Sequence, residues 1–357
     1  MDEGNEQNTI LVLGGYGAVG TAVCEELARI FVGRIVVAGR DIRRAELLAN
    51  QLGERAEPVQ LDAASPASYQ DLIARSTVVI NCVELNNLAV AKQCLANSVH
   101  YIDIAATAEI LNQLQTLDSA AKRANATVVS SVGVAPGLTN LLAHHAQSRC
   151  GPLKHANIFV LLGLGESHGA AAIRWLLKQF EHTFPIKTKG GWREVSAFGE
   201  GLSTKMPEPF GRRKAYRFDF SVQHTLTATL EVESVSTWLC FDSRVATKVL
   251  WFISKLRLLS VLPLWRWSNA IASCSRWFSM GGTQFAVQVD AVGSDGNERS
   301  FTLVGDGEAR TTGIVAAHVA KSLLGSSAPV GALHIEQLLS LVTLLVALDD
   351  RIFLTEA

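Results

Sequence analysis

Short apolar runs alternate with segments of helical periodicity along the first 150 residues. The runs predicted to be strands are Thr9–Leu13, Arg34–Ala38, Pro58–Leu61, Thr77–Asn81, Tyr101–Ile104 and Thr127–Ser130. The segments predicted to be helices are Ala18–Phe31, Arg43–Leu52, Leu88–Ala96 and Ala108–Ala124. Apolar strands without in/out alternation are typical of strands buried on both faces. Because helices separate them, the pattern predicts an α/β fold with a Rossmann-type, doubly wound parallel sheet.

The pattern changes after about residue 150 to that of a mixed α+β domain. Strands are expected at Ala156–Leu164, Arg217–Val222, Thr225–Val232, Phe285–Val292 and Arg299–Val304. Helices are expected at Gly169–Phe180, residues 244–279, Ala309–Leu324 and His334–Leu348, with a loop over 183–217. The Asp-Gly pair between the last two strands predicts a hairpin. The second half is therefore predicted to be an antiparallel sheet that carries helices.

Composition and charge exclude several classes of protein. Hydrophobic residues make up 48% of the chain and charged residues 18%, which excludes a disordered chain. The net charge of -1 provides no basic field for nucleic acid. The six scattered cysteines contain no C-x-x-C pair, a pattern that favours a reduced cytoplasmic protein without a metal site. The apolar segments Val249–Trp265 and Leu338–Leu348 fall short of the ~20 uninterrupted residues of a membrane span.

A glycine-rich turn follows the first predicted strand and precedes the first predicted helix. Gly15, Gly17 and Gly20 fit the G-x-G-x-x-G pattern. In such a turn the first glycine allows the tight bend, the second lets a pyrophosphate approach, and the third lets helix and strand pack closely. The N–H groups at the start of the helix then face the phosphates. The residues expected to contact a dinucleotide here are Gly15, Tyr16, Gly17, Ala18, Val19 and Gly20.

The end of the second predicted strand indicates which dinucleotide binds. Arg40 stands where NAD-specific sites carry an acidic residue, and Arg43 follows in the next turn. Guanidinium groups there suit a 2′-phosphate, so the sequence favours NADP, with NAD as the alternative. Asp41 is either a ribose ligand or a helix N-cap. Asp62, after the third strand, is either an adenine-side contact or a capping residue.

Several motifs together resemble the saccharopine dehydrogenase-like oxidoreductases. The resemblance covers most of residues 9–180 and, more loosely, a closing segment at 305–324. Its most specific parts are Asn81-Cys82, the HYIDI strand at His100–Ile104 and the sequence Gly133-Val134-Ala135-Pro136-Gly137. The resemblance implies NAD(P)-linked redox chemistry and a homodimer. At Glu84-Leu85-Asn86 the chain departs from the family's usual Gly-Pro-aromatic continuation, so the substrate is not carried over.

The resemblance also implies a division into domains. We expect an NAD(P)-binding Rossmann domain over residues 1–148 and an α+β substrate and dimerisation domain over 149–308. The helices of residues 309–357 are expected to pack back on the first domain. Asn81 and Cys82 end the fourth strand, where the nicotinamide is expected, and are predicted cofactor contacts.

Three residues are candidates for the chemistry beside the nicotinamide. His168, before a predicted helix, is the candidate proton donor, with a capping or surface role as the alternative. Arg174 in that helix would clamp a substrate carboxylate or lie solvated. Asp103 would bind an amine or orient a water, unless it caps the next helix. No Tyr-x-x-x-Lys motif is present, so the short-chain dehydrogenase mechanism has no support.

A tryptophan-rich tract and the function itself leave alternatives open. Residues 238–277 hold five of the chain's seven tryptophans, interleaved with Lys and Arg. The tract is predicted to be a dimer face or domain core, with peripheral membrane contact as the alternative. The sequence predicts a cytoplasmic NAD(P)H-dependent oxidoreductase that reduces a C=N, C=O or activated C=C bond in a small or lipidic substrate. The alternative is a non-enzymatic NADP-binding sensor or scaffold.

Overall fold

A computed structural model describes most of the chain as two compact units. The first comprises Met1–Gly133 and Ala309–Leu339, and the second comprises Val134–Glu308 and Ser340–Ala357. The predicted functional domain limits at residues 148 and 308 remain predictions. The residues outside the description are 1–7, 86, 167–175, 177, 181, 189–190, 257–280, 326–327 and 349–351.

The first unit is built on a sheet of seven parallel strands. These are β1 (Thr9–Leu13), β2 (Arg34–Gly39), β3 (Ala56–Gln60), β4 (Val78–Asn81), β5 (His100–Asp103), β6 (Thr127–Ser130) and β15 (Gly331–His334). Their order is β15-β6-β5-β4-β1-β2-β3. The chain therefore winds outward in both directions from β1, and the predicted Rossmann-type doubly wound sheet is confirmed.

The predicted helices of this unit are present with one break, and one further helix lies between β3 and β4. They are α1 (Ala18–Ile30), α2 (Ile42–Leu52), α3 (Pro66–Ala74), α4 (Ala89–Ala96), α5 (Ala108–Gln115), α6 (Asp118–Arg123) and α10 (Glu308–Leu323). The helix predicted over Ala108–Ala124 is interrupted at Thr116–Leu117, because the Thr116 hydroxyl and N–H both bond the Gln113 carbonyl and close a tight turn. Leu117 is buried there, which anchors the bend in the core.

The second unit contains a mixed sheet and a separate hairpin. The sheet order is β10-β11-β12-β7-β13-β14-β16, and the hairpin pairs β8 with β9. The strands are β7 (Leu153–Leu162), β8 (Thr183–Thr188), β9 (Gly191–Ser196), β10 (Gly201–Lys205), β11 (Arg212–Arg217), β12 (Ser234–Phe241), β13 (Gln284–Gly293), β14 (Glu298–Asp306) and β16 (Ile352–Glu356). The helices are α7 (Thr139–Cys150), α8 (Val222–Thr229), α9 (Arg244–Lys255) and α11 (Leu341–Leu348). This α+β architecture confirms the predicted fold class.

The sheet differs from the antiparallel one predicted. β12 pairs with β7 in parallel, while the other pairs are antiparallel. The Asp-Gly hairpin is confirmed, because β13 and β14 pair along their length around it. Residues 183–217 are not a loop but contain four strands, from β8 to β11. Their many exposed residues concealed the strands, since β8 has two buried residues, β9 and β10 have one each, and β11 is buried only in its last three.

Two segments of the second half were predicted with the wrong secondary structure. The strand predicted at Thr225–Val232 is helix α8, in which threonine hydroxyls bond carbonyls three or four residues earlier. The strand predicted at Arg217–Val222 is also wrong, because β11 ends at Arg217 and α8 begins at Val222. Local bonds of this kind let β-branched threonines occupy a helix against their usual preference.

The closing helix predicted over His334–Leu348 is also wrong in its first half. His334 ends strand β15, a 3₁₀ turn follows at Ile335–Gln337, and only Leu341–Leu348 is α-helical. The Gln337 side chain accepts the His334 N–H at 2.9 Å, which closes the turn. Of the helix predicted over 244–279, Arg244–Lys255 is confirmed and residues 257–280 lie outside the description. Within the described ranges no helix is both long and apolar enough to cross a membrane.

Candidate functional site

The glycine-rich turn after β1 is held against the end of β2. The N–H groups of Gly14 and Gly15 both donate to the Ala38 carbonyl, at 2.9 and 3.0 Å, and Gly17 N–H donates to the Gly14 carbonyl at 2.9 Å. Gly14 has a φ of +75°, a conformation that favours glycine. The turn therefore lies where β1 adjoins both β2 and β4, at the topological switch point of the sheet.

Two glycines of the turn differ in what a side chain would meet. A Cβ on Gly20 would lie 2.1 Å from the Gly14 carbonyl oxygen and 2.8 Å from the Gly15 Cα. A Cβ on Gly17 would meet only the Gly14 oxygen, at 3.1 Å. Gly20 is thus required for helix α1 to pack on the turn, while Gly17 leaves its outer side open to a ligand.

The N-terminus of α1 offers unsatisfied amide groups beside this open side. Gly17 is the N-cap and provides no side-chain cap, and no acidic residue lies in the first turn. The N–H groups of Ala18, Val19 and Gly20 have no intrahelical acceptor in a helix that begins here. Amides in this arrangement bind a diphosphate, so the residues present fit the phosphates of a dinucleotide.

Tyr16 fills the space between the turn and the end of β2. Its ring lies on Gly39, where an added Cβ would come within 2.3 Å of the ring. Its hydroxyl accepts the Asp41 N–H at 2.7 Å. The Arg44 guanidinium lies 4.6 Å from the ring centre and donates to the Tyr16 carbonyl at 3.1 Å. The sequence analysis did not identify Gly39 as the residue that makes room for the Tyr16 ring, although a glycine directly before Arg40 could have indicated a close contact there.

The arginine and aspartate after β2 are engaged differently. The Asp41 carboxylate accepts the N–H groups of Arg43 and Arg44, at 3.0 and 3.4 Å, and so caps helix α2. Arg40 and Arg43 are exposed, and their guanidinium groups make no hydrogen bond or ion pair with any residue that the structure describes. The end of β2 therefore presents free cations, while its carboxylate serves the helix.

Asp62 lies beyond the end of β3 and is exposed. Its carboxylate accepts the Ala64 N–H at 3.0 Å, and its carbonyl accepts the Ser68 hydroxyl at 2.6 Å. These bonds order the loop before α3, but the N-cap of that helix is Ser65, so Asp62 does not cap it. A contact with adenine remains a prediction.

A buried polar cluster lies at the carboxyl ends of β4 and β5. Asn81 is 1% exposed and Asp103 3% exposed. The Asp103 carboxylate accepts the Tyr101 hydroxyl at 2.6 Å, the Asn81 amide at 3.0 Å and the Ala105 N–H at 2.7 Å. Asn81 in turn bonds both the N–H and the carbonyl of Val83. Asp103 thus acts through Asn81 on the loop that leaves β4.

Burial dominates the protonation of this cluster. Burial raises the pKa of Asp103, although the hydrogen bonds from Tyr101, Asn81 and Ala105 lower it in part. Burial and the nearby Asp103 carboxylate raise the pKa of Tyr101 well above its ordinary value and that of the Cys82 thiol to about 12. Sequence reasoning missed Tyr101, yet its place two residues before Asp103 on one strand puts both side chains on the same face.

Replacing Tyr101 with phenylalanine is expected to lower the free energy of unfolding by about 1–3 kcal/mol, because the buried carboxylate loses a hydrogen bond. The folded-state pKa of Asp103 is raised, so its contribution to stability is present in acid and is lost as the pH rises through that pKa. The substitution raises the pKa further, so the deficit should grow with pH. Urea unfolding across a pH series measures this.

Tyr69→Phe is the matched control, because the Tyr69 ring is also buried but its hydroxyl makes no hydrogen bond within the described part of the chain. A deficit in Tyr101→Phe that is independent of pH, or equal to that of the control, would contradict the proposed support of Asp103.

A second buried cluster joins β6 to β15. The His334 imidazole Nδ1 lies 3.1 Å from the Ser130 hydroxyl and 2.8 Å from the Ser131 hydroxyl. All three residues are buried, and burial lowers the pKa of His334. Sequence reasoning missed this cluster because its members are some 200 positions apart.

The two remaining catalytic candidates, His168 and Arg174, lie outside the described residues. Glu166, just before them, accepts the Glu308 N–H at 2.6 Å, a contact within the second unit. Glu84, in the loop after β4, is exposed. No group of three His, Cys, Asp or Glu residues within the described ranges could hold a metal ion.

Comparisons with known proteins agree on the first unit and on the overall fold. Residues 10–129 match the family described as "Saccharopine dehydrogenase NADP binding domain". The structure matches apo saccharopine dehydrogenase (L-Glu forming) from Saccharomyces cerevisiae with a TM-score of 0.68 at 17% identity, over 98% of this chain and 100% of that one. A serine dehydrogenase from Escherichia coli matches over 34% of this chain and 80% of its own, at 14% identity and a TM-score of 0.31.

The matched segment contains the glycine turn, both sides of the switch point and the cluster of Asn81 and Asp103. These findings support an oxidoreductase, and they support NADP as the cofactor because the matched family is described as an NADP-binding domain. Residues 10–129 therefore resemble the NADP-binding domain of saccharopine dehydrogenases, and the fold matches that of a saccharopine dehydrogenase over nearly the whole chain.

Proposed function

We propose that the protein is an NADP-preferring oxidoreductase that reduces a C=N, C=O or activated C=C bond in a small or lipidic substrate. The observation that carries the preference is the contrast at the end of β2. The Arg40 guanidinium is exposed, while the Asp41 carboxylate is occupied by backbone N–H groups of α2. A free cation attracts a 2′-phosphate, and a carboxylate already used as a cap is a poorer ligand for a ribose hydroxyl.

Binding of the cofactor, its positioning and proton transfer would each depend on different residues of this chain. Bound NADPH supplies the hydride. The amides at the start of α1 hold the diphosphate, and Arg40 holds the 2′-phosphate. Asp103 is a positioning residue that fixes the loop after β4 through Asn81, where the nicotinamide of a Rossmann domain is expected. His168 would donate the proton, and Arg174 would hold a substrate carboxylate.

Titration calorimetry on the full chain tests the cofactor half of this proposal. NADPH should bind more tightly than NADH, and NADPH oxidation should follow in a panel of imines, ketones and enoyl compounds that includes lipidic ones. Absence of binding by either reduced nucleotide to folded protein would overturn the proposal.

An NADP-binding sensor or scaffold is the second candidate. This candidate is favoured because two buried groups that could move a proton already bond protein partners. The Asp103 carboxylate accepts the Tyr101 hydroxyl, and the His334 Nδ1 bonds the Ser131 hydroxyl. Such a protein would bind NADPH tightly in the same titration and oxidise none of it across the panel.

We also propose a homodimer in the cytoplasm, as the family resemblance implies, with peripheral membrane contact as an additional property. The membrane contact is supported by α9, whose Val245, Val249 and Phe252 are exposed at helical spacing next to Lys248 and Lys255. Sedimentation equilibrium tests the dimer, and flotation with anionic vesicles tests the contact.

A further inference from the structure

A cationic cavity lies in the second unit and shares no residue with the proposed cofactor site. Its volume is about 260 Å³, and it is bounded by β11, the end of β12 and the first turns of α9. Its charged lining residues are Arg212, Arg213, Lys214, Arg244 and Lys248. The others are Ser203, Tyr216, Cys240, Phe241 and Thr247, so none of the described lining residues is acidic.

The five cations lack acidic partners. None forms an ion pair with any residue in the described part of the chain. Arg244 donates instead to the Arg212 carbonyl at 3.2 Å, and the Lys214 ammonium lies 5.7 Å from the Tyr216 ring centre. Asp242, next to Phe241 in the chain, uses its carboxylate on the N–H groups of Leu164, Ser243 and Gly282.

One of these cations carries a buried donor without an acceptor. The Nε of Arg213 is inaccessible to solvent and makes no hydrogen bond with any residue that the structure describes. A buried unsatisfied N–H is costly, and like charges gathered around one cavity repel each other. An anion in the cavity relieves both costs, and guanidinium groups match the oxygens of phosphate in fork geometry.

We propose that this cavity binds a phosphate group carried by a second ligand, at a site built entirely from residues of the second unit. Arg212, Arg213 and Arg244 would share the phosphate oxygens, while Lys248 would contribute a point charge. The cavity is large enough for one phosphate group with part of the molecule that bears it. The ligand is either a soluble phosphate ester or the headgroup of an anionic phospholipid, since both present the same oxygens.

Titration of the full chain with inorganic phosphate tests the site. Arg213→Gln should weaken the phosphate affinity of the cavity about tenfold, because charge-assisted hydrogen bonds are lost. Arg299→Gln is the matched control, since Arg299 is exposed at the start of β14 outside the cavity. Phosphate bound at the cofactor turn survives both substitutions, so the difference between the two variants isolates the cavity.

Equal phosphate binding by both variants and the wild type would overturn the proposal. If Arg213→Gln does not fold, Lys248→Gln on the exposed surface of α9 takes its place. We expect it to weaken the phosphate affinity of the cavity less than tenfold.

Flotation separates the two sources of phosphate. Vesicles of phosphatidylcholine with phosphatidic acid should bring the wild type to the top of the gradient if the ligand is a lipid, and Arg213→Gln should stay below. Failure of the wild type to float, together with loss of inorganic phosphate binding in Arg213→Gln, assigns the cavity to a soluble ester. If Arg213→Gln floats as well as the wild type, the membrane contact belongs to another surface and the cavity does not bind a lipid headgroup.

Discussion

Gly20→Ala is expected to weaken NADPH binding strongly and to destabilise the first unit. The new methyl group would lie 2.1 Å from the Gly14 oxygen and 2.8 Å from the Gly15 Cα. Both are backbone atoms, so no side-chain rotation can relieve the clash. Overpacking of this kind costs about 1–3 kcal/mol. The turn must open to relieve it, so the affinity for NADPH should fall by about a hundredfold or more. Calorimetry measures the affinity, and urea unfolding measures the stability.

Two other glycines separate the roles of packing and ligand approach. Gly17→Ala should keep most of the stability but lose affinity, because its methyl group meets only the Gly14 oxygen at 3.1 Å and otherwise occupies the side open to the ligand. Gly325→Ala, whose nearest neighbour would be 3.7 Å away, should change neither. Wild-type affinity in Gly20→Ala would disprove the assignment of this turn to the cofactor.

Arg40→Ala should raise the KM for NADPH by about 10- to 100-fold, since a charge-assisted hydrogen bond to a phosphate contributes about 1.5–3 kcal/mol. The KM for NADH should change little, because NADH has no 2′-phosphate for the guanidinium to bind. Steady-state oxidation of both nucleotides with one substrate measures the ratio. If no substrate is found, the two dissociation constants serve the same purpose.

Arg123→Ala provides the charge-matched control, since Arg123 is exposed at the end of α6. Arg43→Ala shows whether the neighbouring guanidinium shares the phosphate. An equal change for NADPH and NADH in Arg40→Ala would remove the argument for NADP preference and restore NAD as the alternative.

The first unit was predictable because its information is local. The apolar runs of β1, β2 and β4 and the glycines between Gly14 and Gly20 specify strand, turn and helix within a few residues of each other. Such signals depend on burial on both faces and on the spacing of single residues. Strand β15 escaped prediction, because the short segment Gly331–His334 is a strand only by virtue of pairing with β6.

The site was predictable only in part, because its key contacts join distant residues. Asp103 was identified by its place at a strand end, but its engagement by Tyr101 and Asn81 depends on how β4 and β5 align. The cations of the cavity lie in two basic segments of the sequence, and their meeting was not predictable, because β11 and α9 precede and follow β12 along the chain. Residues 183–217 were misread for a similar reason, as their strands are specified by pairing rather than by apolar content.

The pairing of β15 with β6 has a consequence for the order in which the nascent polypeptide matures. Thr127 bonds the Pro329 carbonyl across 202 positions, and the Gly331 N–H bonds the Ala126 carbonyl. A ribosome must therefore translate the entire intervening unit before β6 acquires its outer neighbour. Until then β6 is the unpaired edge strand of a six-stranded sheet, and such an edge is a template for intermolecular association. A chaperone that covers the edge of β6 during synthesis would protect the chain from association until β15 is made.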